Sequence, residues 1–377
     1  MSPLCNPHVT SAGGVRRKLA GTIAVLAALL AIGAPAGAQA PLKKIRVGVG
    51  TLVLNAALPY VMLPPALGYW QQEGYDAEVF PAQSSIQAVQ LLASGNVDFI
   101  QVNSGPFLQA VVKNGLPLRS VMITTVIDWS LVSQADGPIK TLGDFKGKLI
   151  GVPALGAGGV ALLEQYLTAN GINPKKDVEL VAVGAGPAAL AALTSGRVQG
   201  LMFWGSAIAG FEAAGAKLNY FFDPAWRKNA DYMLATLQST VAKDPRMVEG
   251  IARGVAKASH FTLANPDCVR RVHWERYPDQ KPTGPDPAAV IAGEMLRINA
   301  SVAAMKDALG NSHGKWGAAT PEDFTKLEDL FIASKVIEAR LANPADYFVN
   351  LPGFYDRVNA FDHAAIAQQA TECRPTR

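Results

Sequence analysis

The sequence predicts an α/β protein of two similar lobes, each a mainly parallel sheet flanked by helices, with a helical C-terminal third. Three observations carry that prediction. Short apolar runs alternate with helical stretches from residue 43 to 204, a helix–Ser-Gly–strand pattern recurs about a hundred residues apart, and helical spacing takes over beyond residue 224. A chain of 377 residues, 49% apolar and 17% charged, has ample length for two or three domains and is too apolar to be disordered over most of its span.

The first forty residues read as an address. Arg16, Arg17 and Lys18 precede an apolar run over 19–32, which ends in small residues up to Ala40. A charged start, an apolar stretch and an A-x-A end describe a secretory signal peptide, residues 1–38. Cleavage is expected after Ala38, because cleavage after Ala40 would put Pro41 at the new junction. The run is shorter than the roughly 20 residues that span a bilayer. Cys5 lies before it and so is no lipoprotein cysteine, while general and twin-arginine export both remain open. No later segment reads as long and apolar enough to cross a membrane, so the mature protein is expected to be exported and soluble.

From residue 43 the elements follow in order. Residues 45–49 read as a strand, 60–72 contain a helix, and 77–80 form the next strand. A helix opens at Ser84, puts Val89, Leu92 and Ala93 on one face, and stops at Ser94-Gly95. Residues 97–102 are a strand followed by a loop over 103–106, and a further strand covers 121–127. In the second half 149–152 is a strand, 158–169 a helix ended by Asn170-Gly171, and 178–183 a strand. Leu92-Ala-Ser-Gly-Asn-Val-Asp98 then lies against Leu193-Thr-Ser-Gly-Arg-Val-Gln199 at a constant offset, each copy following a strand of the same rank. The lobes are therefore expected over 43–128 with part of 223–365, and over 129–222, with a C-terminal tail at 366–377. A strand within 232–241 and helices over 247–263, 288–309 and 322–342 complete the chain. Asp244-Pro245 and Thr320-Pro321-Glu322-Asp323 mark two helix starts.

In an open parallel sheet a ligand sits beyond the carboxyl ends of the strands, where loops enter helix N-termini. Here those loops are rich in glycine, serine and other small residues. They supply the candidate binding residues Thr51, Asn55, Tyr60, Gln83, Ser84, Ser85, Asn103 and Ser104 in the first half. The second half supplies Leu155, Gly156, Ala157, Gly158 and Gly186, with Trp129 and Trp204 as flat apolar surface. Ser84, Ser85, Asn103 and Ser104 are expected to face Gly156, Gly158 and Gly186. None of these loops contains Lys or Arg, so any anion would rest on amide dipoles and hydroxyls.

The search for catalysis is nearly empty. Gly156-x-Gly158-x-x-Ala161 follows a strand and opens a helix, but Val183-Gly184 stands where a dinucleotide site needs an acid. No G-x-S-x-G, Walker loop or H-E-x-x-H occurs, and His260, His273, His313 and His363 lack metal-ligand spacing and read as surface or capping residues. Asp98 reads as structural. No catalytic residue, cofactor or metal is expected, and the chain reads as a non-enzyme. Net charge is +4, and 31 basic residues face 30 acidic ones once Arg16, Arg17 and Lys18 are set aside, which argues against nucleic acid as a partner. Three cysteines are too few for a zinc site or disulfide scaffold. In an oxidising compartment Cys268 and Cys373 either pair or stay as two thiols.

The chain resembles the periplasmic solute-binding proteins of the nitrate/sulfonate/taurine type, which feed ABC importers and are related to thiamine-pyrimidine-precursor binding proteins. The likeness covers roughly residues 43–341. It rests on Leu67-Gly-Tyr-Trp-Gln-Gln-Glu-Gly74, on Phe80-Pro-Ala with Leu91-Leu-Ala-Ser-Gly-Asn-Val-Asp98, on Ile139-Lys-Thr-Leu-Gly-Asp-Phe-Lys-Gly-Lys148 running into Ile150-Gly-Val-Pro153, and on Ala191-Ala-Leu-Thr-Ser-Gly-Arg-Val198 before Trp204. The resemblance implies a two-lobed periplasmic-binding-protein fold of type II-like form, closing on its ligand like a venus flytrap. It also implies a periplasmic location, a permease of the inner membrane as partner, a small-molecule ligand and a monomer. Two departures bear on the ligand. Gly156-Ala-Gly-Gly159 stands where sulfonate binders of the family tend to carry serines, which argues against a sulfonate. Trp204-Gly205-Ser206 stands where they often show Trp-Asp-Pro, which argues against an amine-bearing ligand such as taurine. The fungal thiamine-pyrimidine synthase branch carries a cysteine-rich run that this chain lacks. The expected ligand is a small organic acid or an aromatic or heteroaromatic solute, with an exported enzyme on the same fold as the competing reading. N-terminal sequencing of exported protein is expected to begin near Gln39; an intact Met1 on exported material would refute the signal reading.

Overall fold

The structure is a computed structural model that describes residues 41–333 and 335–373. The expected signal peptide and Cys5 lie outside the described residues. Ten strands are described: β1 Lys43–Val49, β2 Tyr75–Pro81, β3 Phe99–Val102, β4 Leu118–Ile123, β5 Trp129–Gln134, β6 Lys148–Val152, β7 Val178–Ala182, β8 Gly200–Trp204, β9 Leu218–Phe221 and β10 Met233–Leu237. They form two five-stranded sheets, in the orders β2-β1-β3-β10-β4 and β7-β6-β8-β5-β9. In the first, β1 is parallel to β2 and β3, while β10 runs antiparallel to β3 and β4. The second repeats this plan, with β6 parallel to β7 and β8 and β5 antiparallel to β8 and β9. The plan is two mixed sheets flanked by helices.

The doubled sequence pattern becomes doubled structure. Helix Ser85–Ala93 runs into β3 and helix Pro187–Thr194 runs into β8, the same strand rank in each sheet. Each sheet takes its single antiparallel strand from the crossing between the halves. The chain leaves β4 through residues 124–128 and returns through 229–232, and these two segments pair with each other. Thr124 N–H and Thr125 N–H donate to Tyr232 O, Asp231 N–H to Thr125 O, and Ile127 N–H to Asn229 O, at 2.9, 3.3, 3.0 and 3.0 Å. The two crossing segments thus satisfy most of these backbone groups against each other.

Several elements differ from expectation. Residues 103–106, expected as a loop, open the helix Ser104–Leu108, because Asn103 leads directly out of β3 and the carboxylate of Asp231 receives Ser104 N–H, one of its unpaired first-turn donors. Strand β4 ends at Ile123 rather than at 127, where the crossing begins. The expected 322–342 helix ends at Ala333. Beyond it the chain folds back, so that Leu341 N–H reaches the buried Glu328 at 2.7 Å. Strands β5 and β9 went unrecognised in the sequence. The cap signals hold: Asp244 accepts from Met247 N–H at 3.0 Å, and Thr320 and Asp323 bond reciprocally.

The helix Pro287–Asn311, contrary to the sequence expectation, is as long and apolar as a membrane span. Its length lies against the protein through Glu294, Ile298, Ser301, Ala304 and Met305, all buried. Cys268 and Cys373 form a disulfide, Cα–Cα 5.4 Å, which joins helix Pro266–Arg276 to the end of helix His363–Glu372. Much of the stretch expected as a tail from residue 366 belongs to this last helix, whose Ala370 is fully buried in an apolar cluster that includes Tyr69 and Phe261. The bridge spans a sequence separation of 105 residues. A Cys268→Ser/Cys373→Ser variant is expected to lose about 2–4 kcal/mol of stability in urea denaturation, with the two sheets still formed by circular dichroism.

Candidate ligand-binding cleft

The cleft is organised around one carboxylate. Asp231, on the returning crossing segment and 2% exposed, accepts four hydrogen bonds. Its Oδ1 receives Ser104 N–H and Ser104 Oγ, both at 3.0 Å, and its Oδ2 receives Asn103 Nδ2 at 2.7 Å and Trp129 Nε1 at 3.0 Å. These donors come from the end of β3, the helix after it and the first residue of β5. One side chain therefore ties both sheets to the crossing. Ser85 Oγ completes the support by bonding Asn103 Oδ1 at 3.0 Å and receiving its N–H at 3.2 Å.

Above this base lies a cleft with about 650 Å³ of empty space, open solvent at its mouth included. Its walls are aromatic. Trp129 and Trp204 are opposite residues of the β5–β8 pair, with ring centroids 5.5 Å apart at 63°. Tyr60 and Tyr232 meet edge to face at 6.1 Å and 75°. The glycine-rich start of helix Gly158–Ala169 closes in against these residues. A Cβ on Gly158 would stand 2.3 Å from Asn103, and one on Gly159 2.2 Å from the Trp129 ring. The missing side chains let two elements from different sheets meet at the cleft.

Polar groups converge on the space. Thr125, Ser206 and Ser301, each at least nine-tenths buried, line it with the Tyr60 and Tyr232 hydroxyls. None of these five hydroxyls has a hydrogen-bond partner among the described residues. Asp128 lies with them, and its Oδ2 accepts Gly205 N–H at 3.2 Å. Burial, then the charge of Asp231, push the Asp128 carboxyl up to about 7, against the pull of Arg227 and the Gly205 N–H. Burial raises Asp231 too, but its donors from Ser104, Asn103 and Trp129 favour its ionised form. The negative charge of the pair therefore falls first on Asp231.

Of the residues expected from sequence, Thr51, Tyr60, Gln83, Ser84, Asn103, Trp129, Ala157, Gly158 and Trp204 line the cleft. Ser85 and Ser104 are fully buried behind it, as supports rather than lining. Gly156 packs near Ser84 at the rim, Leu155 is 62% exposed, and Asn55 caps its own turn by accepting Ala57 N–H at 2.9 Å. Gly186 sits at φ 61° before helix Pro187–Thr194 with nothing within 4 Å of a would-be Cβ, and does not line the cleft. Sequence reasoning missed Thr125, Asp128, Asp231 and Tyr232, which lie on the crossing segments, and Ser301 on the long helix. The Asp128-Trp129 and Asp231-Tyr232 pairs, acid then aromatic, were the available signal.

Asp98 and His273 lie outside the lining of the cleft. Asp98 accepts Arg46 N–H at 2.8 Å and is structural. His273 is not a surface residue: it is fully buried, and burial pushes it down to about 4, so it is neutral. Among the described residues no cluster of His, Cys, Asp and Glu could hold a metal ion.

A family model described as NMT1/THI5 like matches residues 60–268. No curated protein matches the chain. Solved structures do. A protein of Bordetella bronchiseptica RB50 superposes with a TM-score of 0.65 at 19% identity, covering 84% of this chain and 96% of its own. The alkanesulfonate-binding protein SsuA of Xanthomonas axonopodis pv. citri gives 0.60 at 15%, covering 82% and 99%. The periplasmic nitrate-binding protein NrtA of Synechocystis PCC 6803 gives 0.55 at 11%, covering 89% and 90%. At such identities the likeness is one of fold.

Asp231→Ala leaves four donors without their acceptor. It is expected to cost at least about 3 kcal/mol in urea denaturation and to shift the emission of Trp129. Leu155→Ser, at an exposed rim position, is expected to stay within about 0.5 kcal/mol of the parent.

Proposed function

This chain belongs to the NMT1/THI5-like family, and from that premise we propose that it is the solute-binding component of an ABC-type importer, exported to the periplasm, which captures a small aromatic or heteroaromatic solute between its two sheets. The observation that carries the ligand class is the composition of the cleft. Two tryptophans and two tyrosines form its walls, and no Lys, Arg or His is among its lining residues. A ring held there gains edge and face contacts worth about 0.5–1.5 kcal/mol beyond burial. The five unpartnered hydroxyls then supply hydrogen bonds that orient it.

Of the two ligand classes that the sequence leaves open, the organic acid fits less well. A carboxylate would enter a space with two buried carboxyl groups and no cation, and an uncompensated buried charge is costly. The same holds for the alkanesulfonate and nitrate that the named structural neighbours bind. Delivery to a permease of the inner membrane follows from the importer reading.

Native mass spectrometry of freshly purified protein is expected to find a carried-over ring compound. A thermal-shift panel of nitrate, taurine, short alkanesulfonates, aromatic acids, and neutral and amino-substituted single-ring compounds including a thiamine-type aminopyrimidine checks it. Stabilisation near 2.7 kcal/mol is expected when the right ligand is present at about 100 times its Kd. Binding of nitrate or taurine alone would refute the proposed ligand class.

A further inference from the structure

We propose that Asp128 selects the ligand by charge: its carboxyl group gives up a proton when a hydrogen-bond-donating, cationic head enters, so the cleft takes amidinium, ammonium or protonated amino-heteroaromatic heads and turns away anions. The inference rests on the aromatic-ligand reading above and adds what the polar end of that ligand is. It starts from the place of Asp128. A side chain at Gly205 would run into Asp128 Oδ2, since a Cβ there would stand 2.9 Å from it. A carboxylate from the crossing segment thus occupies the space beside the first residue after Trp204.

The groups facing Asp128 are few. From the returning segment come Asp231 and Tyr232, and from helix Pro59–Ala66 comes Tyr60. Arg227 lies close enough to favour the charged form, but it is engaged at 2.6 Å with Asp307 of the long helix. Helix Gly205–Ala213 contributes its first N–H. The backbone N–H of Asp128 itself stands beside that of Gly205. Two amides and a committed guanidinium do not neutralise two carboxylates, so one proton is held between them. That proton sits on Asp128, because Asp231 already receives donors from Ser104, Asn103 and Trp129. A cation takes over the proton's electrostatic role and the proton leaves to solvent, so the cleft keeps its net charge. An anion has the opposite linkage, since it needs the proton to stay.

Three probes of one shape read this out: benzamidine, a permanent cation near neutrality, benzamide, its neutral isostere, and benzoate, its anionic one. At pH 8 benzamidine is expected to bind at least about tenfold tighter than benzamide, with benzoate weakest. Below about pH 7 benzamidine affinity is expected to fall about tenfold per pH unit, and calorimetry in buffers of different ionisation heat to count close to one proton released. Above that pH no release is expected. Asp128→Asn is expected to lose about 10- to 100-fold in benzamidine affinity at pH 8 and to flatten the pH profile, with benzamide little changed.

A ligand-free readout stands beside these. The Asp128 carboxyl carbon should titrate near pH 7 by NMR. Because the folded state then holds a proton that the unfolded state has released, stability should fall as pH rises from the ordinary carboxylate range through 7. Titration of Asp128 in the ordinary range, or benzamidine and benzamide binding alike without proton release, would overturn the charge selection while leaving the aromatic reading standing. Failure of all three probes to bind would overturn the aromatic reading and this inference with it.

Discussion

The Asp231 carboxylate is the constraint on which the centre of the molecule depends. It is buried where the two crossing segments pair, and its four hydrogen bonds reach the end of β3, the helix that follows and the first residue of β5. A carboxylate in such a place is costly to desolvate and is retained only with several donors. Those donors in turn lose their freedom. Asn103 is held for the close approach of Gly158, and the Trp129 ring for that of Gly159. The shape of the cleft thus follows from satisfying one charge.

The repeated sheet plan explains why that charge lies where it does. Each sheet has a parallel core of three strands and takes its antiparallel strand, β5 or β10, from the chain as it enters or returns. The carboxyl ends of the parallel strands therefore open toward the crossing. Loops after β1, β3, β6 and β8 all end there, which is the position at which open sheets bind ligands. The long helix Pro287–Asn311 adds Ser301 to this space and backs the crossing through the bond from Val126 N–H to Ala304 O at 3.4 Å.

The chemistry of the cleft differs from what its loops alone suggest. Read one by one, they offer backbone N–H groups and hydroxyls, which suit an anion or neutral acceptor. Brought together with the crossing segments, they surround two carboxyl groups and four aromatic rings. Asp128 then lies beside Asp231, and neither acid can be judged without the other. Selectivity in such a site comes as much from what it repels as from what it holds.

The sequence by itself determined the two-lobed α/β plan, the repeat at its centre and most of the loops that line the cleft. Alternation of apolar runs, the Ser94-Gly95 and Ser195-Gly196 stops and the proline-led helix starts are local signals, written in neighbouring residues. Strand β5 and strand β9 were less legible, because a strand made by long-range pairing carries no mark that separates it from other apolar runs. The disulfide was open until Cys268 and Cys373 were placed, since pairing depends on where two distant helices end. Asp128, Asp231, Thr125 and Tyr232 were missed for the same reason. Their meaning arises only when residues a hundred positions apart pair across the crossing, and burial of a charge is a property of the packed chain. Tertiary structure alone therefore decided which lining residues act together and where their charge lies.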